Sequence, residues 1–218
     1  GVMVLQQKAG DDFEMLYFNA DGHPSSMCGN GGRCLVAFAH FLGLLPDGRA
    51  HFLAVDGPHD AVVIAPDYIE LQMRPVKPVH YNTAVPFVDT GSPHHLEFVP
   101  SVQAVAVVER GRAIRYRAPY ADQGVNVNFV EITAPNALRV ATYERGVEDE
   151  TLSCGTGVTA AALGYYLTQR APQAPQPIQV ATKGGTLEVR FARAGDGFDQ
   201  IWLCGPVQQV FRGSIALS

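Results

Sequence analysis

The chain has 218 residues, 47% of them hydrophobic, and a net charge of −5, which is enough for one substantial core or two modest ones. No apolar run approaches the roughly 20 residues of a membrane span and the first residues lack the regions of a signal peptide, so no membrane is expected and a reducing cytoplasm is the default. Scattered Lys and Arg form no basic stripe, which argues against nucleic acid, and Cys28, Cys34, Cys154 and Cys204 have neither zinc-type spacing nor disulfide-scaffold density, so no metal is expected.

In chain order, DFEMLYFNADGHPSS at 12–26 alternates like a strand and ends in a turn. MCGNGGRCLVAFAHFLG at 27–43 places a cysteine on the lip of a glycine-rich turn that opens an apolar helix. A Gly/Pro/Asp loop at 44–48 leads to strand-like runs at 51–55, 61–65 and 69–73, and the two prolines of 74–79 read as a linker. Strands are predicted at 86–89 and 96–99, a polar helix over 102–109, and strands again at 125–132 and 139–143. SCGTGVTAAALGYYLT at 153–168 repeats the cysteine turn and helix, and a Pro-rich stretch at 171–177 precedes strands at 178–182, 186–191, 200–203 and 207–211. Short strands with one long helix per half predict an α+β fold with mostly antiparallel pairing. The first lobe is expected over 1–78 and the second over 79–206, with a strand near 207–218 returning to the first.

The two cysteine turns belong to a longer repeat. Nine residues separate Asn19 from Cys28, and ten separate Glu144 from Cys154, each along a strand, a turn and a helix entry. Two related lobes facing each other would put one thiol on each side of a shared cleft. At a helix N-terminus the unpaired N–H groups and the positive dipole end stabilise an anion, so each turn is expected to lower a thiol pKa and to receive a carboxylate. A single cysteine of this kind reads as a small buried hydrophobe; two in matched contexts read as two-sided proton chemistry. Cys34 reads as core packing and Cys204 as core or edge filler. Glu144-Arg145 is a solvated turn pair by local sequence, but its repeat position, equivalent to Asn19, turns it toward the cleft. His94, in a turn fixed by Gly91 and Pro93, is a candidate for supporting acid/base chemistry.

FNADG with MCGNGGRC, then GSPHH, GVNVNF, YERGVEDETLSCGTG, GGTLEV and CGPVQQVF, in that order along nearly the whole chain, resemble the diaminopimelate epimerase family. The resemblance implies two pseudo-symmetric lobes, each a barrel-like sheet around a central helix, with the active site between them. It implies a 1,1-proton transfer that interconverts LL- and meso-diaminopimelate without a cofactor, in a homodimer. Cys28 and Cys154 would be the two acid/base residues, and the backbone amides of Gly29-Asn30 and Gly155-Thr156 would hold the α-carboxylate. Glu144, supported by His94, would hold the α-ammonium, and Asn19, Asn126 and Arg145 would grip the distal end. Ser92 stands where many members have asparagine, so its distal contact is expected through water. The family also opens with a strand and a Gly-Asn-Asp-Phe turn upstream of this chain's first residue, so the expectation is a first lobe short of strands. Two rivals remain at this point: a racemase of proline, hydroxyproline or histidine on the same scaffold, and a binding or redox protein whose Cys28 and Cys154 pair reversibly.

Overall fold

The computed structural model describes residues 1–19, 21–77, 87–168 and 176–216. β1 (Val2–Gln6) and β2 (Phe13–Phe18) form an antiparallel hairpin, and α1 (Gly29–Phe41) crosses over to β3 (Arg49–Ala54), which lies parallel to β2. β4 (Gly57–Ala65) and β5 (Tyr68–Met73) complete this half as an antiparallel meander. β6 (Phe87–Asp89) and β7 (Pro93–Phe98) open the second half, and α2 (Val107–Arg115) connects β7 to the parallel strand β8 (Asn126–Ala134). β9 (Ala137–Glu144) follows in a hairpin, with β10 (Asp149–Thr151) paired to its end. α3 (Gly155–Thr168) crosses to β11 (Ile178–Thr182), parallel to β9, and β12 (Gly185–Ala194) and β13 (Gly197–Pro206) finish the meander.

The strand order is β1-β2-β3-β4-β5-β13-β12-β11-β9-β8-β7-β6. It reads almost the same from either side of the β5–β13 seam: β1-β2-α1-β3-β4-β5 matches β8-β9-α3-β11-β12-β13 element for element. At the seam the two strands are antiparallel, with Leu71 opposite Leu203 and Met73 opposite Ile201. This is the pseudo-symmetry expected from the repeated cysteine turns, in a mixed, mostly antiparallel α+β fold. One hydrophobic cluster runs through both halves, from Phe13, Phe52 and Leu71 to Leu163, Val180 and Leu203.

The two long helices are packed differently. α3 is buried on eleven of its fourteen residues, so it is a central helix, and its run of Gly, Ala and Thr lets strands close in on every side. α1 buries only one stripe, including Leu35, Val36 and Ala39. Cys34, expected in the core, is exposed. It shares the outer face with Phe38 and Phe41 at i, i+4 and i+7, and that face is apolar, so apolar character in the sequence did not distinguish inside from outside. Cys204 is buried on β13, as expected.

Other expectations shift. The polar helix predicted over 102–109 is a short 3-10 turn at Val102–Ala104 followed by α2, displaced along the chain. Gly111 in the middle of α2 disguises it as a breaker, but that glycine lets the helix lie directly on Tyr143. The strand predicted at 207–211 does not form: β13 stops at Pro206, and the next amide, Val207 N–H, goes to the Asp67 carbonyl at 2.9 Å. Of the linker 74–79, residues 78 and 79 lie outside the described residues, whereas Val76 is buried and exchanges both backbone hydrogen bonds with Phe198. Residue 86 and the Pro-rich positions 171–175 also lie outside them.

A buried histidine is paired with a half-buried carboxylate in the first half. His59 on β4 has Nδ1 2.9 Å from the Gln72 carbonyl and Nε2 2.9 Å from Asp56 Oδ1, and stacks on Phe52. A carbonyl and a carboxylate both only accept, so both ring nitrogens carry hydrogens and the ring is an imidazolium. Burial opposes that charge, but Asp56 and the Gln72 carbonyl outweigh burial and the nearby Arg74, and hold the imidazole above its usual range.

Candidate active site

Cys28 is the N-cap of α1, with extended backbone, and its Sγ accepts from the Gly31 amide at 3.4 Å. Cys154 precedes α3 in the same way: its carbonyl accepts from Val158 N–H at 2.8 Å and the Gly157 amide bonds its sulfur. A Cβ at either Gly29 or Gly155, the first residue of each helix, would meet the same atom, Leu203 Cδ2, at 2.8 and 3.0 Å. The two helix N-termini therefore converge on the seam strand. Asn30 ties them together by donating to the Ser153 carbonyl at 3.0 Å, and its Oδ1 accepts from the buried Arg33 at 2.8 Å. Both thiols open into one cavity of about 590 Å³ that Tyr17, Asn19, Ser92, Glu144 and Arg145 also line.

The electrostatics run against the expected low-pKa thiols. Burial pushes the Cys28 thiol up against the pull of the Gly31 and Asn30 amides, and Glu144 adds to it. Cys154 is pushed up to about 12, by burial and then by Glu144, despite Thr156 and Gly157. Glu144, at the end of β9, is itself raised by burial, with the Thr151 hydroxyl favouring its charged form. Removal from water thus outweighs the helix N-terminus at both cysteines, and one carboxylate faces both thiols. Among the described residues no three His, Cys, Asp or Glu side chains are placed to hold a metal.

The model of a family described as diaminopimelate epimerase matches residues 86–210. The diaminopimelate epimerase of Flavobacterium psychrophilum is 43% identical over 99% of this chain and 83% of its own length, and that of Chlorobaculum tepidum is 42% identical over 100% and 85%. The chain belongs to the diaminopimelate epimerase family. Among solved structures, a probable proline racemase from Agrobacterium radiobacter superposes with a TM-score of 0.71 at 16% identity, covering 99% of this chain and 75% of that one. A hydroxyproline epimerase from Agrobacterium vitis gives 0.68 at 17%, covering 94% and 71%. At these identities they share the fold, and the epimerase family is set by sequence.

Within this epimerase fold the anticipated residues are distributed as follows. Cys28, Gly29, Cys154, Gly155, Thr156, Glu144, Arg145, Asn19, Ser92 and Asn126 all line the one cavity. Asn30 does not line it with them; its side-chain amide is spent on Ser153 and Arg33, while its backbone N–H is directed at Cys28. Asn126 is buried and committed, donating to Ser92 Oγ at 2.8 Å and to the Pro93 carbonyl at 3.2 Å while accepting from the Arg145 amide at 2.9 Å. It orients Ser92 and the Arg145 backbone, and has no free amide for a distal grip. His94 is not in a loop. It lies on β7, fully buried, and its ring nitrogens go to Thr156 Oγ1 and Asn128 Nδ2, each at 3.0 Å, rather than to Glu144.

Two residues at the site went unnoticed in the sequence. Tyr17 sits on the cavity wall, where burial and then Cys28 and Glu144 raise its hydroxyl. Asn128, two positions along β8 from Asn126, shares its face of the strand; that period of two in GVNVNF was the available signal.

Proposed function

We propose that this chain interconverts LL- and meso-diaminopimelate by two-base proton transfer, with Cys28 and Cys154 as the acid/base pair. The observation that carries this is the opening of both helix-capping thiols, with one shared carboxylate, onto a single cavity. One cysteine, as thiolate, takes the Cα hydrogen as a proton. The electron pair left on Cα delocalises into the α-carboxylate, and the other cysteine delivers its thiol proton to the opposite face. Each turnover leaves the two sulfurs with exchanged protonation states.

Negative charge building on the carboxylate is met by the first amides of α1 and α3, at Gly29-Asn30 and Gly155-Thr156, each such donor being worth about 3 kcal/mol in a closed site. Glu144 receives the α-ammonium. That charge neutralises the carboxylate that holds both thiols up, so substrate binding itself favours a thiolate. Asn19 and Arg145, with Ser92 oriented by Asn126, face the distal amino acid end. His94 acts through Thr156. No cofactor enters this scheme, which runs on the chain's own thiols. The compartment is a reducing cytoplasm, where both thiols stay free. The assembly is a homodimer in which a second copy covers the half-exposed Phe38 and Phe41 of α1.

The test is deuterium incorporation at Cα of LL-diaminopimelate in D2O, for this chain and for Cys28→Ala and Cys154→Ala. Exchange that requires both thiols supports the assignment. Exchange of proline or hydroxyproline in preference to diaminopimelate would move the reading to another amino acid racemase.

A further inference from the structure

Among the described residues, the second thiol is backed by a chain of side chains and the first is not. Thr142 Oγ1 donates to Asn128 Oδ1 at 2.9 Å, and Asn128 Nδ2 lies 3.2 Å from the His95 carbonyl and 3.0 Å from His94 Nδ1. Thr142, Asn128, His94 and His95 are all buried. The His95 carbonyl can only accept, so it takes one amide hydrogen and fixes which way the Asn128 amide faces. The other amide hydrogen then points at His94 Nδ1, which must be the bare ring nitrogen. Burial and the neighbouring Arg145 push His94 down to about 3, so the ring is neutral. Its single hydrogen therefore sits on Nε2, 3.0 Å from Thr156 Oγ1. The Thr156 hydroxyl thus keeps its own hydrogen clear of His94, and lies 3.3 Å from Cys154 Sγ; a thiolate sulfur can only accept, so there the hydroxyl is the donor.

We propose that Asn128 is a positioning residue for the proton transfer: it sets the His94 tautomer and so keeps the Thr156 hydroxyl available as the donor to the Cys154 thiolate. The assignment deepens the proposed function and rests on it for its catalytic meaning. At the pseudo-equivalent place in α1, Asn30 stands where Thr156 does, but its amide turns away to Ser153 and Arg33. Beside Gly157 lie Asn128 and His94; beside Gly31 lies Met3. Among the described residues the donors to Cys28 are accordingly the Gly31 and Asn30 backbone amides. The two bases of a pseudo-symmetric enzyme are thereby made unequal, and the thiolate form of Cys154 depends on a hydroxyl while that of Cys28 does not.

Alkylation by iodoacetamide, read peptide by peptide with mass spectrometry across pH, reports each thiol separately in the substrate-free chain. Thr156→Val is expected to slow Cys154 alkylation about tenfold at a fixed pH below its midpoint, the size of one hydrogen bond to a charged group, and to leave Cys28 unchanged; Thr156→Ser restores Cys154. NMR of the histidine ring nitrogens should find the His94 hydrogen on Nε2 in the unmodified chain, and on Nδ1 in Asn128→Asp, whose carboxylate can only accept. Equal slowing of both cysteines in Thr156→Val, or a His94 hydrogen on Nδ1 in the unmodified chain, overturns the proposal. None of these readouts uses diaminopimelate, so failure of the substrate assignment in the exchange assay is seen independently.

Discussion

A single carboxylate bears on the resting state of both thiols. Glu144 raises Cys28 and Cys154 alike, on top of the burial that raises each of them more. Glu144→Gln removes the negative charge and keeps the shape, so the alkylation midpoints of both cysteines should fall together; a fall at one alone would mean that Glu144 faces only one side. Arg145 is exposed on the cavity wall, held by the Gln123 carbonyl at 2.9 Å. Its replacement by Ala should raise KM roughly tenfold, the worth of one charge-assisted contact, with a smaller effect on kcat; initial-rate kinetics with LL-diaminopimelate check this. Half of the residues that line this cavity were named from the sequence: Cys28, Cys154, Asn19, Glu144 and Arg145 from the repeat, and Gly29, Ser92, Asn126, Gly155 and Thr156 from the family resemblance. What escaped was the identity of the partners. His94 meets Asn128 through the parallel register of β7 on β8, in which His94 lies opposite Asn126 and Leu96 opposite Asn128, and no local pattern in GSPHH or GVNVNF encodes that pairing.

The helix entries are close-packed in a way that distinguishes their glycines. A Cβ at Gly29 would meet side chains alone, Leu203 first and Met73 next, whereas a Cβ at Gly155 would also stand 3.2 Å from the Asn30 backbone nitrogen. Each alanine substitution should cost about 1–3 kcal/mol. Leu203→Val should relieve Gly29→Ala but not Gly155→Ala, because the backbone of α1 cannot retreat without moving the opposite thiol; urea midpoints of the double variants decide. On β4, the His59 imidazolium links the strand to Asp56 and to β5. Its folded-state pKa lies above the ordinary 6.5, so its contribution is fully present below pH 6.5 and is lost as pH rises through the folded value. The difference in urea midpoint between the unmodified chain and His59→Gln should therefore be largest in mild acid and shrink toward alkaline pH. Strands with period-two burial, such as β5 and β11, were readable, as were both cysteine-capped helices. α2 was displaced because its central glycine makes sense only against Tyr143.

Two halves that share one six-element plan are joined edge to edge, and besides the added β6, β7, α2 and β10 of the second half, the outer face of α1 breaks their equivalence. Where α3 is enclosed, α1 leaves Phe38 and Phe41 about half exposed. If a second copy covers them, sedimentation velocity will show a concentration-dependent dimer, and Phe38→Asp with Phe41→Asp will give a monomer with unchanged circular dichroism and an unfolding midpoint that no longer depends on concentration. Division into two related lobes could be read from the repeat, but the seam could not: strand order across β5 and β13 is a long-range choice that periodicity leaves open. That seam also sets a timetable. Met73 and Ile201 are neighbours in the sheet yet stand on the order of 130 residues apart in the chain, a long loop to close. On the ribosome, the first half is made long before its edge partner exists, and the cavity with its facing sulfurs comes into being only when β13 arrives. Until then the nascent first lobe carries an open β5 edge, and a chain stalled before residue 197 would be a strand-pairing hazard rather than a half-active enzyme.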